Sequence, residues 1–439
     1  MYLLFTIILW FISLFIFNYC FKKWINPVSI YGSIWVAMIL FYEMRLMAYT
    51  TLSNETWIVI LSTYILLMFG SITIFTARSL YKPFKQEEIE KTSVISPLFN
   101  NEAKLLVRLI LILSSLGLIS TAHHWYNLLQ EFGSITNVLI QAAVIYQMRV
   151  EGDIGTGIPY IFAGVHMALF LTGIYSAYKN KFNFLILIPF LILILKSLAE
   201  VSRAGLLLGL FEFIIGFVFY KQYLSTIKPT EKKSNKKIIF GLIIILTMVI
   251  AGATAVKVFR APYESYKASS SSLNKFEKGV FFSPTIYLYL SSHIGVLNNY
   301  LQKQDENNYF GEVTFFPFYR LISKFEVIDE PRYYQKGYFI PMWSNTGTYL
   351  RDLHADFGYT GLFLIPYLLG MISTFYWIRF YEKQNFIDFV ILCFVTIILA
   401  YSFLLMATRF GNWLISLIGF LVIIPILENR YKKQGYLSV

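Results

Sequence analysis

Eleven stretches of this chain are apolar for close to the length that crosses a bilayer, near residues 2–21, 28–42, 56–77, 105–129, 157–178, 182–200, 203–223, 238–257, 356–378, 387–407 and 410–427. A helix of about 20 residues rises about 30 Å, the thickness of the hydrocarbon layer. Within that layer a backbone can satisfy its own N–H and C=O groups only as a helix or a closed barrel, and barrel strands are shorter and alternate. Runs like these therefore predict an all-α polytopic membrane protein with about eleven transmembrane helices. With 57% hydrophobic and 14% charged residues, a soluble chain of 439 residues is excluded.

The charges sort by side once the runs are numbered. Loops on one side, with the C-terminal segment, hold 17 Lys and 3 Arg, from Lys22 and Lys23 through Lys232, Lys233, Lys236 and Lys237 to Lys432 and Lys433. The short loops opposite hold one arginine each: Arg45, Arg149, Arg203 and Arg409. The positive-inside rule makes the crowded set cytoplasmic. It puts the N-terminus and the 96-residue stretch from Phe259 to His354 outside. No positive charge precedes the first run, which is read as a span and not as a cleaved leader. The chain divides into an N-terminal bundle (1–258), an external loop region containing short helices (259–354) and C-terminal helices (355–439). Within the loop, "VFFSPTIYLYLSSHIGVLNNY" (280–300) is greasy but carries Pro284, His293 and several Ser and Asn. A twelfth crossing there would turn the Lys-rich C-terminus outward, so an interfacial or re-entrant segment is expected. The net charge of +12 reflects topology and anionic-lipid contact, and no nucleic-acid partner is expected.

Lysine and arginine are distributed unequally, which the positive-inside rule does not require. The outer side carries Arg45, Arg149, Arg203, Arg260, Arg320, Arg332, Arg351 and Arg409 against six lysines, all six in the long loop. A guanidinium pairs bidentately with phosphate and keeps its charge when partly desolvated. Pairing with nearby carboxylates or anchoring to headgroups would account for the same residues.

Two short clusters carry candidate chemistry. In "LKSLAEVSRAGLLLGLFEF" (195–213), Glu200 and Arg203 stand at i, i+3 and would pair if one helix held both. Either they form a lone ion pair or Arg203 faces an anionic ligand with Glu200 orienting it or acting as base. In "NTGTYLRDLHADFGYTG" (345–361), Arg351, Asp352, His354 and Asp356 fall within six residues, followed by Gly358 and Gly361 at the start of a helix expected to pack closely. Histidine and carboxylates are the usual general bases. The candidate catalytic residues are therefore Glu200, Asp352, His354 and Asp356. The candidate phosphate-binding residues are Arg203, Arg149, Arg260, Arg320, Arg351 and Arg409. Loop aromatics, among them Tyr287, Tyr289, Tyr333, Tyr334, Tyr338 and Trp343, suit sugar stacking or an interfacial belt.

No Asp-x-Asp, phosphate-loop, nucleophile-elbow or His-Glu-x-x-His motif occurs. Neither a metal nor another cofactor is expected. Outer-face chemistry without nucleotides requires a substrate activated before it arrives, and a lipid-linked pyrophosphate sugar meets that requirement.

The many-span layout, "NPVSIYGSIWVAMILFY" opening the second run, "SRAGLL" at 202–207, the single long outer loop and "DFGYTG" at 356–361 resemble the Wzy-type O-antigen and oligosaccharide repeat-unit polymerases. The resemblance implies a GT-C-like membrane fold in the bacterial cytoplasmic (inner) membrane, with the active site facing the periplasm. It also implies an inverting glycosyltransferase whose donor and acceptor are undecaprenyl-pyrophosphate-linked glycans, with a chain-length regulator protein and membrane lipids as further partners. Arg203 and Asp356 match the family's recurrent positions; the other arginines follow from topology. An O-antigen ligase using the same donor, and a lipid-linked oligosaccharide flippase or other transporter, remain the alternatives.

Overall fold

The computed structural model describes residues 1–81, 96–151, 154, 157–158, 160–181, 183–227, 236–260, 284–306, 310–331, 335–340 and 343–433. Among the described residues there are fifteen α-helices and one two-strand hairpin. The helices are α1 (Tyr2–Phe21), α2 (Pro27–Glu43), α3 (Asn54–Tyr81), α4 (Ser96–Phe132), α5 (Ile135–Ile140), α6 (Ala142–Glu151), α7 (Ala163–Lys179), α8 (Leu187–Glu200), α9 (Ala204–Ile227), α10 (Lys236–Arg260), α11 (Pro284–Lys303), α12 (Phe316–Ser323), α13 (Tyr349–Lys383), α14 (Phe386–Tyr401) and α15 (Gly411–Lys433). The hairpin pairs β1 (Tyr338–Phe339) antiparallel with β2 (Trp343–Ser344).

Every one of the eleven apolar runs falls on a helix. Among the described residues, five helices are long and apolar enough to cross a membrane: Tyr2–Phe21, Asn54–Leu80, Ala103–Phe132, Ala204–Ile227 and Tyr349–Lys383. The chain is thus an all-α, membrane-embedded protein. Shorter apolar helical stretches are Pro27–Glu43, Phe240–Val256, Phe386–Tyr401 and Gly411–Leu427, and α8, with 14 residues, rises only about 21 Å.

Two compact units interleave along the chain. One comprises Met1–Glu90, Tyr266–Ile378 and Ile398–Phe410; the other comprises Lys91–Ser265, Arg379–Ile397 and Gly411–Val439.

In the first unit, α2 begins with a capping box. Asn26 accepts the Ser29 amide at 2.9 Å, the Ser29 hydroxyl accepts the Asn26 amide at 2.9 Å, and Pro27 fills the first turn. Helices α3 and α13 cross at Gly70 and Gly370, where a Cβ on either glycine would stand 2.0–2.1 Å from the other helix's backbone carbonyl. Only glycine allows that approach. Aromatic and hydroxyl side chains then bind α2 to α13 and to the end of α14: Tyr31 Oη lies 2.9 Å from Tyr349 Oη, and Trp35 Nε1 donates to Ser402 Oγ at 2.9 Å.

The polar residues of α11 explain its low hydropathy. Asn298 Oδ1 accepts the Ser53 amide and the Thr56 hydroxyl, Tyr49 Oη lies 2.8 Å from Ser291 Oγ, and the Leu46 amide donates to Tyr287 Oη. These groups are satisfied inside the protein, so α11 lies packed along α2 as one continuous helix.

The second unit is centred on α7, buried at every residue from Ala163 to Ala177. Phe162, Val165, Leu169, Phe190, Leu193, Leu206, Phe213, Ile245 and Val249 form its core. One polar pair interrupts it: His166 Nδ1 lies 2.9 Å from Glu212 Oε2, both side chains nearly sealed from solvent. The pairing offsets the cost of burying the two groups, because a polar group without a partner in an apolar interior is far costlier than a paired one.

Candidate functional site

The head of α13 is the richer of two polar clusters. Gly358 adopts φ 61°, ψ −155°, a conformation open essentially to glycine, and breaks the helix into a head (Tyr349–Phe357) and a longer rod. A Cβ at this position would have room, so the glycine is needed for its backbone angle and not for close packing. Gly361 is the crowded one, its Cβ position 2.5 Å from Phe357 Cβ.

The four candidates on the head have different surroundings. Arg351 is fully buried and committed inward. Its Nε and Nη2 donate to Glu306 Oε1 at 3.1 and 2.5 Å, Nη1 donates to the Asn345 carbonyl at 2.9 Å, and Nη2 reaches the Lys336 carbonyl at 2.6 Å. Its guanidinium also lies 5.6 and 5.1 Å from the ring centroids of Tyr300 and Tyr338. With these donors engaged, Arg351 serves as an internal clamp between α13 and the loop, which departs from the phosphate-binding role expected of it.

Asp352 Oδ2 accepts the Met406 amide at 2.7 Å, and its Oδ1 lies 3.5 Å from Arg409 Nη1. Gln335 Oε1 is 3.4 Å from the same Arg409 nitrogen, while its buried Nε2 has no hydrogen-bond partner among the described residues. Asp356 accepts the Val313 amide at 3.0 Å and the Thr314 amide at 2.6 Å, so its carboxylate holds the turn that leads into α12. His354 keeps an intermediate exposure, with Nδ1 2.8 Å from Tyr300 Oη and its ring edge-on to Tyr300 and Tyr359.

Residues from distant segments complete the cluster. Glu55, in the first turn of α3, accepts from the Tyr359 hydroxyl and from Gln304 Nε2. Lys336 Nζ lies 2.5 Å from Asp305 Oδ2, and the Tyr338 hydroxyl is shared between Asp305 and Glu306. Lys336 first, then Tyr338, hold the Asp305 carboxyl below the usual carboxylate range. Burial, reinforced by the two carboxylates, pushes the Tyr338 phenol up. Sequence reasoning missed Glu55, Tyr300 and Glu306, whose local surroundings give no cue; only their shared fold brings them to α13.

The second cluster lies in the other unit, where α8 ends at Glu200. Val201 takes a left-handed conformation (φ 51°, ψ 40°), and the Ser202 amide reaches back to the Ser197 carbonyl, closing the helix. Arg203 therefore sits in the corner before α9, and the i, i+3 geometry expected for Glu200 and Arg203 on one helix does not form. Glu200 instead faces Lys196 at 3.3 Å and Arg149 at 3.8 Å. The nearly sealed Lys196 ammonium also lies 3.0 Å from His124 Nδ1. His124 was not foreseen; Lys196, a lone lysine ending an apolar run beside Glu200 and Arg203, is the signal that marks this spot.

Arg320 is exposed and pairs loosely with Glu330 at 3.7 Å. The side chain of Arg260, and all of Arg332, Tyr333 and Tyr334, lie outside the described residues. Among the described residues, no three His, Cys, Asp or Glu side chains gather as a set that could hold a metal ion. No protein-family model, curated protein or solved structure matches the chain.

Proposed function

We propose that this protein polymerises undecaprenyl-pyrophosphate-linked oligosaccharide repeat units at the outer face of the bacterial cytoplasmic membrane, through a GT-C-like bundle of eleven spans. The observation that carries the reading is the head of α13. There His354 keeps a partly open imidazole, while its neighbours Asp352 and Asp356 are occupied by backbone amides.

In this mechanism His354 carries its proton on Nδ1, donated to the Tyr300 oxygen, and Nε2 accepts the proton of an acceptor sugar hydroxyl. The hydroxyl oxygen attacks the anomeric carbon of the donor, the bond to the pyrophosphate breaks, and the configuration inverts. Negative charge then grows on the lipid pyrophosphate. A guanidinium group stabilises it, with Arg409, in the same unit as His354, the candidate once Arg351 is assigned to the interior.

One observation favours a transporter instead: the His166–Glu212 pair deep among apolar helices is the kind of group that relays protons across membranes. Proteoliposomes containing the purified protein and lipid-linked repeat units separate these readings. The polymerase yields a ladder of lengthened glycans on lipid, and His354→Gln abolishes it at unchanged protein abundance. Movement of the substrate between leaflets with no new glycosidic bond supports a transporter. Transfer only when lipid A core is supplied supports a ligase.

A further inference from the structure

Helix α12 turns its apolar face away from the protein. Phe318, Leu321 and Ile322 stand at the i, i+3, i+4 spacing of one helical stripe, Phe325 follows in the turn after the helix, and all four are exposed, Phe325 at 73%. In a chain segment facing water such a stripe would be turned inward. Here the buried side is carried by Phe316, and the tail of the stripe continues to Val327, 71% exposed.

The patch joins a further exposed apolar surface. Phe310, 77% exposed, and Phe315 pack against Phe357 at centroid distances of 4.8 and 6.4 Å. Just past the Gly358 break, Tyr359 stacks on Phe363, the first of the exposed residues Phe363, Leu364, Leu368, Ile372 and Phe375 along a helix long enough to span a membrane. The polar rim of α12 is nearly balanced: Arg320 and Lys324 against Glu326, Asp329 and Glu330. Apolar burial, and not attraction to anionic lipid, is therefore the term left to hold it.

We propose that α12 and its flanking phenylalanines are an interfacial anchor, seated in the headgroup–acyl boundary of the bilayer as a continuation of the lipid-facing side of α13. Asp356 holds the Val313 and Thr314 amides, and Thr408 Oγ1 donates to the Thr314 carbonyl at 2.6 Å, so the anchor is fastened to the head of α13 and to the segment that follows α14. The anchor thereby sets the depth of His354 at headgroup level. Only the use of that depth to meet a lipid pyrophosphate rests on the proposed function; the anchor itself does not.

The test uses full-length protein in phosphatidylcholine nanodiscs, in a Cys20→Ser, Cys393→Ala background. Nitroxides are placed at Phe318→Cys, Ile322→Cys and Phe325→Cys, with Glu330→Cys as the water-facing reference. Leu321→Cys replaces any site whose variant is not monodisperse. Power saturation should show the stripe positions relaxed more by oxygen than by a water-soluble nickel chelate, the reference showing the reverse. The pattern should not change when a third of the lipid is phosphatidylglycerol. Stripe positions as open to nickel as the reference, or shielded from both relaxants by protein, would overturn the anchor. Neither result bears on glycan transfer, which the ladder assay reads separately.

Discussion

His354 Nδ1 lies 2.8 Å from the hydroxyl of Tyr300, a residue that α11 delivers to the head of α13 from 54 positions away. If Tyr300 orients the imidazole, Tyr300→Phe should lower kcat about tenfold and leave KM near its original value. His354→Ala should cost the full general-base contribution, about 10²–10⁴-fold. A Tyr300→Phe enzyme with unchanged kcat, or with KM raised instead, would remove the orienting role.

Arg351 and Arg409 should separate by abundance. Breaking a buried pair by removing one partner costs about 3–5 kcal/mol, so Arg351→Ala should yield little folded protein. Arg409→Ala, at a less enclosed site, should express normally and lose glycan transfer. Quantifying membrane-inserted protein beside ladder length checks both, and an inactive Arg351→Ala present at normal abundance would return Arg351 to the substrate-binding group.

At the α8 terminus the expected signature is rescue. Glu200→Gln leaves Lys196 and Arg149 without their carboxylate, and Lys196→Met leaves Glu200 short of its nearest cation. If the cluster is structural, the double substitution should restore abundance lost in either single one. If Glu200 is instead the base, Glu200→Gln should bind lipid-linked donor normally and fail only in transfer.

Gly358→Ala should destabilise the protein by about 1–3 kcal/mol, because a non-glycine residue at φ 61°, ψ −155° is strained even where its Cβ has room. Gly205→Ala, at an uncrowded helical glycine in α9, is the control expected to leave Tm level or slightly higher. Melting curves in detergent measure the contrast.

A depressed carboxyl contributes stability that is present above its unfolded-state pKa, about 3.9 for aspartate, and is lost as pH falls through the folded value. Asp305 is such a group. Hydrogen exchange across Tyr338–Ser344 should therefore stay constant from pH 5 to 8 once corrected for intrinsic rates, and Asp305→Asn should raise it throughout that window.

The helices were legible because a long apolar run predicts a segment that satisfies its own backbone, and all eleven runs fall on helices. The α8–α9 corner was not. Val201 is β-branched, a residue type that rarely takes a left-handed conformation, so no glycine or asparagine marked the stop that takes Arg203 off the Glu200 helix. Within 345–361 the cluster was visible, but residue type alone could not separate Arg351 and Asp356, bound to the interior, from His354. Their partners Glu306, Val313 and Thr314 lie in the long loop, and loop pairings carry no periodic signal. His166 and Glu212 left a fainter trace, two ionisable residues in different apolar runs, joined only by the packing of α7 on α9.

The carbonyl contacts at Gly70 and Gly370 leave α3 and the rod of α13 no clearance to slide past each other. On the proposed function, any rearrangement of α13 that admits a bulky glycolipid is therefore confined to the far side of Gly358. A swing of the nine residues from Tyr349 to Phe357 about that pivot would carry His354 with them while the mast below stays still, and it would have to release the Arg351 clamp on Glu306.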